Sequence, residues 1–109
     1  MTNSFGCDAA GYKPTWWLPR TAEMRRFSYY RIVADVACHH GLPTRLLDAM
    51  IAQESGFASG SISSAGAMGI MQIMPGTARH LGLSNPFDPI ANMHAGARYL
   101  REQLDRFGR

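Results

Sequence analysis

Strong stop signals at short intervals do most to set what this chain can fold into. Gly41 with Pro43, Gly56, the glycine- and serine-rich residues 59–69, Gly82 and Asp88-Pro89 cut it into short pieces. Within the pieces, apolar residues recur at helical spacing. From about Thr21 onward, Tyr29, Ile32, Val33, Val36, Ala37 and His40 form one stripe, which Gly41 and Pro43 end. A second helix starts near Pro43 or Thr44 and carries Leu46, Leu47, Met50 and Ile51 up to Gly56. Residues 70–74 are apolar but short, and read equally as a strand or as a loop packed on a core. Residues 75–81 read as a short helix stopped by Gly82. Asp88 before Pro89 is an N-cap followed by proline at the first helical position. Met93, Ala97, Leu100, Leu104 and Phe107 then mark the core face of a last helix. Arg98 with Glu102, Arg101 with Asp105, and Glu102 with Arg106 stand four apart on its outside.

The fold class that follows is mainly α. Residues 1–20, with Gly6, Gly11, Pro14 and Pro19, form an irregular arm, and residues 21–109 form one helical domain with a modest core. No apolar run approaches the roughly 20 residues needed to cross a bilayer. The first twenty residues also lack the continuous apolar segment of a signal peptide. Work outside the cytoplasm would therefore need a removed signal or another export route. A net charge of +3 suits an anionic polymer and is no nucleic-acid signature by itself. Cys7 and Cys38 are either one disulfide or two unrelated thiols, Cys38 then being a small buried residue. His39 and His40 are adjacent while His80 and His94 stand isolated, so no zinc-hydrolase spacing exists and no metal or cofactor is expected.

Glu54 stands out. At 100° per residue, Leu47, Met50 and Ile51 lie about 20°, 40° and 60° from it, so the acid continues an apolar stripe and is expected on a buried face. Burial and the negative end of the helix dipole both favour a protonated carboxyl, the form a general acid requires. Gly56 lets the backbone turn just after it.

The residues that follow resemble a known family. Glu54-Ser55-Gly56-Phe57, Ser63-Ser64-Ala65-Gly66-Ala67-Met68-Gly69, Ile70-Met71-Gln72-Ile73-Met74-Pro75 and Thr77-Ala78 are similar to the soluble lytic transglycosylase signature. Phe87-Asp88-Pro89, Asn92, Gly96, Tyr99-Leu100 and Phe107-Gly108 continue it in order, so the likeness covers residues 28–108. It implies a lysozyme-like helical fold related to goose-type lysozyme. It assigns the catalytic acid to Glu54 and glycan contacts to Ser63, Gln72 and Met74. It also implies peptidoglycan glycan strands as substrate, the periplasm or cell envelope as the place of work, and no cofactor. A secretion or conjugation apparatus is a candidate partner, and self-association through an exposed core edge another. The family's later alanine-tyrosine-asparagine-alanine-glycine motif is absent, so the chain is expected to hold the N-terminal part of a catalytic domain, truncated at the C-terminus.

The chemistry implied by the resemblance is intramolecular. Glu54 protonates the oxygen joining N-acetylmuramic acid to N-acetylglucosamine, the muramyl acetamide assists from the opposite ring face, and the same sugar's 6-hydroxyl closes a 1,6-anhydro ring. Two alternatives remain at this level. One is a peptidoglycan-binding remnant without turnover. The other is a DNA-binding helix-turn-helix around Gly41-Leu42-Pro43-Thr44, whose second helix offers only Arg45 and Gln53 as base readers beside two acids.

Overall fold

In the computed structural model, which describes Cys7 and residues 11–108, the stop signals fall where the helices end. The elements are α1 (Arg20–His39), α2 (Thr44–Ser55), α3 (Pro75–Leu81) and α4 (Pro89–Phe107). Gly56 and Gly82 take left-handed backbone angles at the ends of α2 and α3. Asp88 Oδ1 accepts from the amides of Ile90 and Ala91 and opens α4 as its N-cap, as the sequence predicts. Of the two readings of residues 70–74, the loop packed on the core is the one observed, with Ile70, Met71 and Ile73 buried. Among the described residues, extended pairing is confined to two isolated antiparallel bridges, Ile62 with Met68 and Met68 with Ile73. Gly6 and residues 8–10 of the arm lie outside the described residues.

Helix α1 packs against both α2 and α4. Val33, Val36 and Ala37 meet Leu47, Ile51, Met93 and Ala97, and Phe57, Ile70, Met71 and Ile73 complete the core from the connecting segments. Each large side chain buried here contributes about 1.5–3 kcal/mol of transfer free energy. Two expected core residues are exposed instead. Phe107 lies in the last turn of α4, past the end of the neighbouring helices, and is 72% exposed. Leu46 sits on the outer side of α2. Arg98 pairs with Glu102 and Arg101 with Asp105, at 3.2 and 2.7 Å. The third expected pair gives way to stacking, with the Arg106 guanidinium over the Phe107 ring.

A buried cation joins the arm, α1 and α2. Arg26 donates to both carboxylate oxygens of Asp48, to Glu23 Oε2 and to the Lys13 carbonyl, all at 2.8–3.1 Å. Its guanidinium also lies over the Tyr12 ring. Burial by itself would raise the Glu23 carboxyl. Hydrogen bonds from Thr15, Tyr12 and Arg26 outweigh it and hold the group below the usual carboxylate range. Cys7 and Cys38 are disulfide-bonded across 31 residues of sequence, a closure that removes about 3–4 kcal/mol of unfolded-chain entropy. The thiols are thus partners, tying the arm to the last turn of α1.

At that same end the supposedly isolated His94 meets His40, whose Nε2 lies 3.0 Å from His94 Nδ1, while His39 packs edge-on against both rings. Sequence spacing could not reveal this, because the residues come from α1 and α4. Among the described residues, no group of three or more His, Cys, Asp or Glu side chains is placed to hold a metal ion.

The segment between α2 and α3 is tied to α4 by one side chain. Asn92, fully buried on α4, donates through Nδ2 to the carbonyls of Met68 and Pro86 and accepts through Oδ1 from the Met71 amide. Gly69 must lack a side chain, because a Cβ there would strike the Pro86 carbonyl and the Asn92 amide. Asn92→Ala removes three hydrogen bonds and leaves the buried Met71 amide and the part-buried Pro86 carbonyl without this partner, and it should lower unfolding free energy by about 2–4 kcal/mol in urea denaturation. The histidines predict a pH dependence. Burial, then the neighbouring imidazoles, hold His40 and His94 below the ordinary value of 6.5. Their neutral pairing is intact above that value, where folded and unfolded forms bind equal protons. As pH falls from there through the lower folded-state values, the unfolded chain binds more protons and stability is lost. Thermal unfolding at pH 7.5 and 5.5 should show this drop, and His94→Gln should flatten it.

Candidate active site

The end of α2 fixes where Glu54 goes. Gly56 stops the helix, the buried Phe57 anchors the chain beyond it, and Ser55 Oγ donates to the Ile70 carbonyl at 2.6 Å. That bond brings the last turn of α2 against residues 70–74. Glu54 is exposed, contrary to the expectation of a buried face. Its angular position beside Leu47 and Ile51 follows from the continuous helix Thr44–Ser55. Those two are buried in mid-helix, however, and Glu54 lies one turn farther along, where the core stops and a groove opens. A helical wheel gives azimuth and says nothing of depth along the axis.

The groove holds about 300 Å³ and is lined by Met50 and Glu54 from α2, residues 71–74, Thr77 and Leu81 from α3, and Gly96, Tyr99, Leu100 and Gln103 from α4. Among these lining residues Glu54 is the one carboxylate. The wall behind it is built of methionine sulfur, leucine and isoleucine, with amide and hydroxyl groups spaced along it. Gly96 is needed for this shape. A Cβ there would press on the Met71 side chain, which instead lies against α4 and floors the groove. A broader hollow of about 630 Å³ continues from it, sharing Thr77, Tyr99 and Gln103. Its own acids, Glu102 and Asp105, are already paired with arginines.

Gln72 and Met74 join Glu54 in the groove, and Met74 is exposed there. Gln72 occupies left-handed backbone space at φ 54°, unusual outside glycine. Its amide nitrogen donates to the carbonyls of Ser61 and Gly69 at 3.1 and 2.9 Å, so the loop itself satisfies the donors for which a ligand partner was expected. Both bonds turn the side-chain nitrogen inward, which leaves the amide oxygen as the group available to a ligand. Ser63 does not reach the groove lining. Its hydroxyl accepts from the Ala67 amide, and its backbone pairs with the same residue, closing a tight turn. The structure therefore brings three of the four residues singled out in the sequence together and leaves the fourth as a turn-former.

Sequence reasoning assigned no role to Ser55, Thr77, Tyr99 or Gln103. Tyr99 and Gln103 carried a signal: they are polar groups four apart on α4, bordering Leu100 and on the same side as Gly96. Nothing in the sequence marks Ser55 beyond its place after the acid, because its partner is a backbone carbonyl fifteen residues away.

Comparison with known proteins matches this arrangement to one family. The Transglycosylase SLT domain model matches residues 32–109. A transglycosylase of Enterobacteria phage PRD1 is 39% identical over 80 residues, covering 73% of this chain and 30% of the phage protein. Membrane-bound lytic murein transglycosylase F of Stutzerimonas stutzeri is 30% identical over 93 residues, 85% of this chain and 19% of that protein. Among solved structures, the lytic transglycosylase Slt of Pseudomonas aeruginosa, determined as an inactive mutant, superposes with a TM-score of 0.67 at 31% identity, covering 75% of this chain and 15% of that one. The chain thus spans less than a third of the length of each of these relatives. The helical fold is the one this neighbour has, and the chain belongs to the transglycosylase SLT family.

Proposed function

We propose that this chain carries the acid-bearing part of a peptidoglycan lytic transglycosylase, with Glu54 as the proton donor. The observation that carries the reading is a groove lined by one carboxylate, set against an apolar wall and flanked by Gln72 and Met74. Family membership supports murein as the polymer. The Pseudomonas aeruginosa neighbour also supports the choice of a glutamate, since it is an inactive mutant in which glutamine replaces one.

One carboxylate limits the chemistry. Glycosidases that retain or invert by the usual routes need two, one acting as acid and the other as nucleophile or base. With Glu54 alone, the second role falls to the substrate. Glu54 gives its proton to the oxygen between N-acetylmuramic acid and N-acetylglucosamine, and the bond from that oxygen to the muramyl anomeric carbon breaks. The muramyl acetamide stabilises the cationic carbon from the other ring face. The 6-hydroxyl of the same sugar then bonds to that carbon and returns its proton to Glu54, giving a 1,6-anhydro end. The nucleophile is tethered, so its effective concentration is high and no bound water need be positioned. In this reading Gln72 accepts a glycan hydroxyl through its amide oxygen and Met74 packs on a sugar face. Ser63 supports the substrate loop without direct contact, which revises the role that the resemblance implied.

The cell envelope is the place where such a reaction has its substrate, and relatives described as membrane-bound murein transglycosylases support that setting. No helix among the described residues is long and apolar enough to cross a membrane.

Glu54→Gln keeps the shape and removes the proton. Digestion of purified sacculi should fall by about 10²–10⁴-fold or more, with thermal unfolding unchanged. Mass spectrometry of wild-type products should show ends lighter by one water than hydrolysed ends. Undiminished cleavage by the variant removes Glu54 from the mechanism. Hydrolysed ends alone would keep Glu54 and replace the ring-closing step by attack of water.

A further inference from the structure

A second surface, sharing no residue with the groove, collects both tryptophans of the chain. The bend just before α1 exposes Trp16 by 93% and Trp17 by 54%. On α1 itself, Met24 and Phe27 are 64% and 65% exposed. They are the middle of a stripe: Arg20, Met24, Phe27 and Arg31 stand within about 60° of one another on the helix, and all four are exposed. Leu18, Tyr12 and Thr15 from the arm line a shallow trough of about 510 Å³ with Arg20, Glu23, Met24 and Phe27. The Tyr12 ring sits edge-on to Phe27 with centroids 5.0 Å apart, so arm and helix form one continuous apolar face. Two tryptophans left in water just ahead of a helix that exposes methionine and phenylalanine in its first turns are not explained by the packing of the described residues.

The charge around this face is one-sided. Residues 11–31 contain five cations, Lys13, Arg20, Arg25, Arg26 and Arg31, and one carboxylate, Glu23, while the whole chain carries only +3. Arg26 is buried against Asp48, and Glu23 is consumed by Arg26, Tyr12 and Thr15. What faces water is therefore four cations around an apolar patch, with no free carboxylate until Asp35, a turn beyond Arg31. Of the hydrogen-bonding groups that line the trough, Tyr12 and Thr15 are spent on Glu23, which leaves the Arg20 guanidinium and no converging set of the kind a sugar site needs. Indole rings with flanking arginines instead match the boundary between acyl chains and anionic headgroups. There the ring body is buried shallowly and the guanidinium stays with the phosphate.

We propose that the face made by Trp16, Trp17, Met24 and Phe27, ringed by Lys13, Arg20, Arg25 and Arg31, docks this protein on the surface of an anionic phospholipid bilayer. The contact is peripheral, and its strength is set by apolar insertion together with screened charge attraction. Arg25 also donates to the Gly56 carbonyl, which brings the first turns of α1 beside the α2 end that carries Glu54, while the groove opens between other elements. Docking would hold the acid-bearing end near the membrane without covering the groove lining.

Both tryptophans lie in this face, so intrinsic fluorescence reports on it alone. Vesicles of phosphatidylcholine, and of an equimolar mixture with phosphatidylglycerol, should be titrated into the full chain. The mixed vesicles should shift emission to the blue and carry the protein down in sedimentation. Phosphatidylcholine vesicles should do neither, and ~1 M salt, where the Debye length is ~3 Å, should release the protein. Arg20→Glu with Arg31→Glu should weaken sedimentation with mixed vesicles by roughly tenfold or more. Trp16→Ala with Trp17→Ala should weaken it comparably, with thermal unfolding and sacculus digestion unchanged. Equal binding to both vesicle types, or none to either, overturns the proposal. So does a tryptophan variant that sediments normally with mixed vesicles but loses binding to sacculi, since the face would then be a glycan site. Failure here leaves the role of Glu54 untouched, and loss of activity in Glu54→Gln says nothing of lipid binding.

Discussion

The amide of Asn92 holds the part of the molecule on which the groove depends. Residues 61–74 have too few backbone pairings to form a sheet and too many turns to form a helix, so their polar groups need partners from elsewhere. One buried side chain with two donors and an acceptor supplies three of those partners at once, between 2.8 and 3.0 Å. The same bonds bring Met68, Met71 and the Pro86 turn to α4, which is why Gly69 and Gly96 must be small. With the segment pinned to α4 on one side and to Ser55 of α2 on the other, the gap left between the two helices is the groove.

The opposite side of the domain is stiffened differently. Arg26 lies in a cage of two carboxylates and two tyrosine rings, a costly burial that is tolerable because all three guanidinium nitrogens donate to acceptors and its faces meet aromatic rings. The disulfide and the histidine contact add ties at the far end of α1. None of these groups reaches the groove. They hold α1 against its neighbours, and α1 in turn backs the helix that presents Glu54.

That division fits the chemistry. In the proposed reaction the proton donor must also take a proton back, and Glu54 borders both an apolar wall and the open groove. Met50, Met71 and Leu100 line the groove with it, and its exposure leaves it within reach of a polymer too large to be enclosed. The left-handed backbone at Gln72 aims an amide into the same space, a local strain of about 1–3 kcal/mol that the double anchoring of its side chain helps to hold.

The sequence by itself determined where helices begin and end, because glycine, proline and capping aspartate act through local backbone sterics and need no distant partner. It also determined the azimuth of Glu54, and through motif likeness it picked out Gln72 and Met74. Tertiary structure decided everything that depends on depth or on meeting between distant segments. It set Glu54 in an open groove instead of a buried face, turned Ser63 inward to its own loop, and paired His40 with His94. It joined Cys7 to Cys38 and gave Asn92 and Ser55 their partners. The physical reason is the range of each interaction: steric stops are written within a few residues, whereas burial and hydrogen-bond satisfaction are settled only when helices separated by dozens of residues come into contact.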